Sequence, residues 1–233
     1  MKILALDCSA GPASAAICEN GTIIASSYVN VKLTHSQTLL PMVNHTLSAA
    51  QLSVSDIDAF AVNNGPGSFT GIRIGISAVK GLAAPENKPC VEVSTLMSLA
   101  YSFKNTDCIL CAVMDARCKQ VYNALFKIQD GSVMRLCDDR AVSIDELISE
   151  LAAITDEKII IAGDGAGLFA SFAEQSTGTV IAEEPWRLQN ACSTALAAEE
   201  KLKNGEFVKC DTLLPMYLRM PQAERELKLK KEN

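Results

Sequence analysis

Histidine and cysteine are the residue types best suited to metal or redox chemistry, and their spacing here argues against both. His35 and His45, the two histidines of the chain, lie ten residues apart. On a helix this is about 280° of rotation, so they cannot hold one ion together. Cys108 and Cys111 have C-x-x-C spacing, but their apolar run predicts a strand, on which residues three apart face opposite sides. We therefore expect two buried thiols and no metal site.

A serine nucleophile is the next chemistry to consider. Ser68 lies in a glycine turn, but Gly-Pro-Gly-Ser-Phe-Thr-Gly lacks the Gly-x-Ser-x-Gly spacing of a nucleophile elbow. A Ser-His-Asp triad would also need a histidine with an acidic partner, and neither histidine has an evident one. The sequence predicts no catalytic residue.

Residues 64–75 connect an apolar run at 59–63, a predicted strand, to a predicted helix beginning near Gly71. Ser68 or Thr70 can cap this helix. Free N–H groups at such a turn can hold an anion or a close backbone neighbour, although an ordinary strand-to-helix connection explains the turn equally well. Along the helix, Gly71, Gly75 and Ala78 share one face with no side chain larger than methyl. Such a face predicts a packing partner, in this chain or in another.

Two further stretches could contact a nucleotide. Asp7 and Ser9 precede a short loop after the first strand, and Gly163, Asp164 and Gly165 lie between a predicted strand and a predicted helix. The glycines could equally form a plain turn with Asp164 as the helix cap. These weak motifs predict no tightly bound cofactor, and ATP or ADP only at a site that a partner completes.

The elements that position these residues form two similar series. Runs at 2–7, 13–18 and 22–28 predict three strands with a hairpin at Asn20-Gly21, followed by a helix at 35–52, a strand at 59–63, the helix from 71, a strand at 90–93 and a helix at 95–101. The order recurs with strands at 108–114, 120–128 and 133–137, a helix at 144–153, a strand at 158–162, a helix at 166–172, a strand at 180–182 and a helix at 191–203. We predict an α/β fold of two β-β-β-α-β-α units with mixed sheets. The predicted subdomains are 1–103 and 104–212, with an extended, charged tail at 213–233.

Charge and composition limit the partners. The net charge is −6 and the pI is near 5.0. These values argue against a chain that binds nucleic acid without a partner protein. No apolar run approaches the roughly 20 residues of a membrane span, and the start of the chain has no signal-peptide pattern. The nine cysteines fit a reducing compartment, so we expect a cytoplasmic protein without a membrane contact.

The duplicated unit, with Asp7 and Asp115 closing the first strand of each half, resembles the actin, sugar-kinase and RNase H superfamily. Within it, residues 64–75 look like the signature of the TsaB (YeaZ) family. Further pieces agree with that family along nearly the whole chain: 3–9, 35–37, 39–41, 115–117, 121–122, 217–219 and 223–224.

The resemblance implies a cytoplasmic, non-catalytic subunit that pairs with the related enzyme TsaD. With the ATPase TsaE, they transfer a threonylcarbamoyl group from threonylcarbamoyl-adenylate to the adenosine beside the tRNA anticodon. The chain would meet tRNA only through that complex. The metal-binding histidines of TsaD correspond here to Thr95 and Leu99, which are poor ligands for a divalent ion.

The resemblance also agrees with an interface on the helix from His35 and the helix from Gly71. We expect these helices to form a self-dimer when the chain is alone and a heterodimer with the TsaD-like subunit. The predicted contact residues are Leu40, Val43, Leu47, Gly71, Ile72, Gly75, Ile76, Ala78 and Val79. The competing interpretation is that the small residues only let the helix lie close on its own sheet.

Two other functions stay open at this point. An ATP-dependent small-molecule kinase of the same superfamily would need a metal-binding acid pair, with Asp7 and Asp115 or Asp164 as candidates. An autonomous tRNA-binding protein would have to use the tail lysines Lys228, Lys230 and Lys231, which alternate with acids.

Overall fold

The computed structural model describes residues 1–154, 157–172, 178–184 and 186–219. The first half of the chain contains five strands and three helices in the predicted order. A turn with positive φ at Asn20 and Gly21 joins two of the strands, as the hairpin signal predicts. The elements are β1 (Lys2–Asp7), β2 (Ala13–Glu19), β3 (Thr22–Val29), α1 (His35–Ala49), β4 (Ala59–Gly65), α2 (Phe69–Ala83), β5 (Cys90–Ser94) and α3 (Thr95–Tyr101).

The second half repeats this order with one addition. Beyond the predicted strands it contains a short strand, β9, which pairs with β7. The capping box that Ser143 forms with Glu146 begins α4, as expected from their spacing. The elements are β6 (Cys108–Asp115), β7 (Gln120–Gln129), β8 (Ser132–Arg135), β9 (Arg140–Ser143), α4 (Ile144–Ala152), β10 (Ile159–Ala162), α5 (Ala166–Ala170), β11 (Thr179–Ile181) and α6 (Ala191–Lys203).

The two sheets have the same topology. The first has the order β3-β2-β1-β4-β5, and the second runs β11-β10-β6-β7-β8 with β9 beside β7. In both, the first strand is antiparallel to the second and parallel to the strand that follows the unit's first helix, which is β4 in one sheet and β10 in the other. The duplicated, mixed-sheet architecture is therefore confirmed.

The helices do not divide between the sheets as they divide along the sequence. The first sheet is covered on one face by α1 and α2 and on the other by α6. The second sheet is covered by α3 on one face and by α4 and α5 on the other. Thus α3 and α6 lie between the sheets and contact each other, with the Ser98 hydroxyl 2.9 Å from that of Thr194.

This arrangement corrects the predicted subdomains. The boundary at 103 separates the strands of the two sheets. However, α6 packs on the first sheet, and the segment after α6 also packs on the first half. Val208 pairs with Cys90 of β5 through two backbone hydrogen bonds, and Leu213 is fully buried in the first core. Residues 213–219 are therefore a segment docked on the first half rather than part of a tail; we call them the strap. The predicted charged tail at 220–233 lies outside the described residues.

None of the helices in the described ranges is long and apolar enough to cross a bilayer.

Candidate interdomain cleft and partner-binding face

A cleft of about 440 Å³ lies between the two halves. Its walls come from the loops after β1 and β6 and from the turns after β4 and β10, because the carboxyl ends of these strands face one another. It is lined by Ser9, Ala10, Gly11, Gly67, Ser68, Phe69, Met114, Asp115, Ala116, Arg117, Tyr122 and Asp164.

The glycine turn after β4 packs directly on the loop after β1. A Cβ atom at Gly67 would lie 2.2 Å from the Ser9 carbonyl oxygen, and one at Gly71 would lie 1.9 Å from that of Cys8. The Ser68 amide donates a 2.7 Å hydrogen bond to the Ser9 carbonyl. Ser68 also accepts from the Gly71 amide, so it caps α2 as predicted. Gly67 and Gly71 therefore allow the chain's own backbone, in the loop after β1, to pack closely against this turn.

The turn after β10 is built in the same way. A Cβ atom at Gly163 would lie 1.8 Å from the Val113 carbonyl oxygen, and one at Gly165 would lie 2.9 Å from the Met114 carbonyl carbon. Asp164 lies between them at the cleft and accepts a 3.3 Å hydrogen bond from the Asp115 amide. Desolvation within the cleft walls raises the pKa of Asp164 to about 6. Gly165, rather than Asp164, occupies the cap position of α5.

Of the residues predicted to contact a nucleotide, Ser9 and Asp164 line the cleft, whereas Asp7 lies beneath it. Asp7 is 1% exposed, and its Oδ1 accepts hydrogen bonds from the Ser9 amide (2.8 Å) and hydroxyl (2.6 Å). Burial raises the pKa of this carboxyl. Asp7 therefore holds the loop, while Asp115 and Asp164 are the carboxylates of the cleft.

The residues considered for metal chemistry are dispersed. Within the described ranges, no three His, Cys, Asp or Glu side chains could hold an ion together. Thr95 and Leu99 are both fully buried. His35 lies near the start of α1, where its Nε2 is 2.8 Å from the Ala10 carbonyl oxygen, and His45 is exposed.

Cys108 and Cys111 occupy opposite faces of β6, as predicted. Cys108 belongs to the core under α3 and Cys111 to the core under α4 and α5. Burial raises the pKa of both thiols, that of Cys108 to about 11. The two thiols cannot act together.

Most of the residues predicted to form a partner contact on α1 and α2 do not lie on the outer surface of these helices. Seven of the nine predicted contact residues are buried in their own monomer, because α1 and α2 pack on the first sheet: Val43, Leu47, Gly71, Ile72, Gly75, Ile76 and Val79. A Cβ atom at Gly75 would lie 3.1 Å from the Val62 side chain of β4. The assignment of these seven to a partner contact is therefore corrected; the competing interpretation explains the small residues.

Leu40, 51% exposed, and the partly exposed Ala78 remain on the outer surface. They border a groove of about 570 Å³ between the two helices. We call this surface the α1–α2 groove, and it is lined by His35, Ser36, Leu39, Leu40, Thr70, Arg73, Ile74, Ser77 and Ala78.

The strap contributes a cluster that the sequence did not predict. The ring of Tyr217 stacks on that of Phe69, with centroids 4.2 Å apart. The Arg73 guanidinium lies 5.5 and 5.6 Å from these two ring centroids. Nearby, Arg219 donates a 2.9 Å hydrogen bond to the Ala116 carbonyl of the other half. The largely apolar run at 213–218 was the one local signal that the strap docks.

The duplicated sheet order and the cleft between the halves define a protein of the actin-like, RNase H-like class. A family model described as TsaD, tRNA N6-adenosine threonylcarbamoyltransferase, matches residues 29–226. The chain is 31% identical over 229 residues to the tRNA threonylcarbamoyladenosine biosynthesis protein TsaB of Escherichia coli (strain K12), covering 97% of this chain and 98% of the relative. The chain belongs to the TsaB family.

Two further comparisons give related matches. A solved structure of YeaZ from Pseudomonas aeruginosa matches with a TM-score of 0.80 at 30% identity, covering 93% of this chain and 99% of that one. The tRNA N6-adenosine threonylcarbamoyltransferase of Kosmotoga olearia is 32% identical over 117 residues, covering 44% of this chain and 36% of the relative. The alignment with this one transferase thus covers less than half of the chain, whereas the TsaD family model covers most of it.

Proposed function

We propose that this chain is a non-catalytic subunit in tRNA threonylcarbamoyladenosine biosynthesis. It pairs with a related, TsaD-type catalytic subunit and works with a TsaE-type ATPase. The observation that carries this proposal is the likeness to TsaB over nearly the full length, together with a partial likeness to the transferase itself. Related chains with the same fold can pair through equivalent surfaces.

The site supports a binding role more than a chemical one. The candidate nucleophile Ser68 caps a helix. Thr95 and Leu99, which by the resemblance correspond to the TsaD histidines, are buried. In contrast, the α1–α2 groove offers exposed apolar surface on two long helices, which suits a helix-to-helix contact. We propose that this groove binds the catalytic subunit and, when the chain is alone, a second copy. The net charge of −6 for the whole chain fits tRNA contact through the complex only.

Reconstitution tests this function directly. The chain, the TsaD-type and TsaE-type proteins of the same organism, their tRNA and threonylcarbamoyl-adenylate are combined with one component omitted at a time. Modified adenosine is measured by mass spectrometry. We expect product when all components are present, and none from this chain as the only protein. Product formed by this chain alone, or full activity in its absence, would refute the proposal.

We also propose that the cleft binds ATP or ADP weakly until the partner completes the site. Its volume lies at the lower end of the range for small-molecule pockets. Ser9 and Ser68 line it, but both glycine turns are occupied by backbone contacts within the chain.

Calorimetric titration with Mg-ATP, with and without the TsaD-type subunit, measures this effect. We expect at least a tenfold tighter dissociation constant for the pair, corresponding to about 1.4 kcal/mol. The TsaD-type subunit titrated alone is the control for its own site. Tight binding to the isolated chain would instead support the kinase alternative.

A further inference from the structure

The two helices of the α1–α2 groove contain no acidic residue, although the chain has 27 of them. Their charged residues are Arg73 and Lys80, both on α2. Lys80 lies in the last turn, where its Nζ donates to the Asp211 carbonyl, 3.1 Å away. Arg73 is exposed and lines the groove itself. The proposed partner face is thus a local cationic, apolar surface on a protein whose net charge is −6.

Arg73 is held in place without a counter-ion. Its Nε donates a 2.6 Å hydrogen bond to the Tyr217 hydroxyl, and its guanidinium lies near the stacked rings of Phe69 and Tyr217. No Asp or Glu of the described part of the chain forms an ion pair with it. These contacts use Nε and leave its two terminal nitrogens without a hydrogen-bond acceptor among the described residues.

An arginine with this geometry suits a carboxylate. Two terminal N–H donors can bind both oxygens of a carboxylate at once. Because Phe69 and Tyr217 already restrict the side chain, less rotamer freedom is lost when the ion pair forms. Arginines that are ordered and surrounded by apolar contacts are common among the residues that dominate interface affinity.

We propose that Arg73 is the specificity-determining residue of the α1–α2 groove and that it binds an Asp or Glu side chain of the catalytic subunit. This inference rests on the proposed pairing. Tyr217 and Phe69 are positioning residues, which act by orienting the guanidinium. The proposed partner surface is an apolar helical ridge that carries a carboxylate opposite Arg73.

The same charges distinguish the two kinds of pair. In a two-fold self-dimer through this groove, both copies bring their Arg73 to one interface. Neither α1 nor α2 supplies an acid to compensate them. Like charges oppose association, and salt screens them. The heterodimer should therefore weaken with added salt, whereas the self-dimer should strengthen.

Affinity measurements at about 50 and about 500 mM salt test this inference. Light scattering or ultracentrifugation follows self-association, and titration with the TsaD-type subunit follows the heterodimer. For Arg73→Ala we expect heterodimer affinity to fall about tenfold to a hundredfold at low salt, with the salt dependence largely lost. We expect the self-dimer of this variant to be tighter than that of the natural chain.

Two variants separate orientation from charge. Tyr217→Phe removes the hydroxyl that accepts from Arg73 and keeps the stack on Phe69. As a single substitution it should weaken the heterodimer. When Arg73→Ala is already present, adding Tyr217→Phe should not weaken the heterodimer further. Lys80→Ala, on the same helix but outside the groove lining, is the matched control and should leave the affinity unchanged.

The outcomes are distinguishable. If the natural chain binds the partner but Arg73→Ala binds it equally well at both salt concentrations, the inference is wrong and the proposed pairing survives. If the natural chain does not bind the partner at either concentration, the proposed pairing itself fails. An equal effect of Lys80→Ala would show a general charge effect and would overturn the role of Arg73.

Discussion

Replacing Gly71 with alanine is expected to lower the free energy of unfolding by about 3 kcal/mol or more, the upper range for overpacking. A Cβ atom there would lie 1.9 Å from the Cys8 carbonyl oxygen, and Cβ atoms essentially never come within 3.0 Å of such a neighbour. The obstacle is backbone at the end of β1, so no side-chain rotation relieves it. Either α2 must move away from the sheet or the loop after β1 must shift.

Gly81→Ala is the matched control for this prediction. It makes the same change in the same helix, but nothing lies within 4 Å of the added methyl group and the position is exposed. Alanine is the better helix former, so we expect this variant to gain about 0.5–1 kcal/mol. Urea unfolding followed by circular dichroism gives both values. If both variants have the same stability, α2 does not approach the Cys8 backbone as closely as the structure shows.

Replacing Leu40 with aspartate is expected to weaken binding of the TsaD-type subunit about a hundredfold. The side chain is 51% exposed in the free chain and borders the α1–α2 groove. A helix-to-helix contact there would bury it, and burying an unpaired carboxylate opposes association. Losses of about 2–3 kcal/mol are typical of central interface residues, and about 2.7 kcal/mol corresponds to a hundredfold change.

Leu136→Asp controls for the general effect of adding a charge. Leu136 is exposed to a similar extent, 48%, but follows β8 on the second sheet. Binding is measured by calorimetric titration, and thermal unfolding checks that both variants remain folded. We expect loss of binding with Leu40→Asp only. Normal binding by this variant would exclude the α1–α2 groove as the contact, and equal loss in both would indicate a nonspecific effect.

Much of the fold could be predicted because the signals are local. Asn20-Gly21 and Asp130-Gly131 both adopt positive φ at hairpin turns, and Ser68 and Ser143 both cap helices. Each of these features depends on residues within one turn of the chain. The repeated order of strands then restricts the sheet topology, because short connections join neighbouring elements.

The candidate site could be predicted only in part. Ser9 and Asp164, two of the predicted nucleotide contacts, lie at the cleft because each follows a strand whose carboxyl end faces it. Asp7 was misjudged, since its position at the end of β1 does not show that its carboxylate turns toward the Ser9 amide and away from solvent. Arg73 was not singled out, because its significance depends on Tyr217, 144 residues further along.

The sequence by itself determined every element except β9, the order of those elements, the duplicated sheets and the likeness to the TsaB family. Tertiary structure decided which surface each helix presents: the stripe of Gly71 and Gly75 faces β1 and β4 rather than a partner, and α6 and the strap return to the first sheet. The physical reason is that a small residue indicates a close contact at its position, but not whether the contacting group belongs to the same chain or to a partner. Which group makes the contact depends on residues far apart in the chain, and no local pattern encodes this.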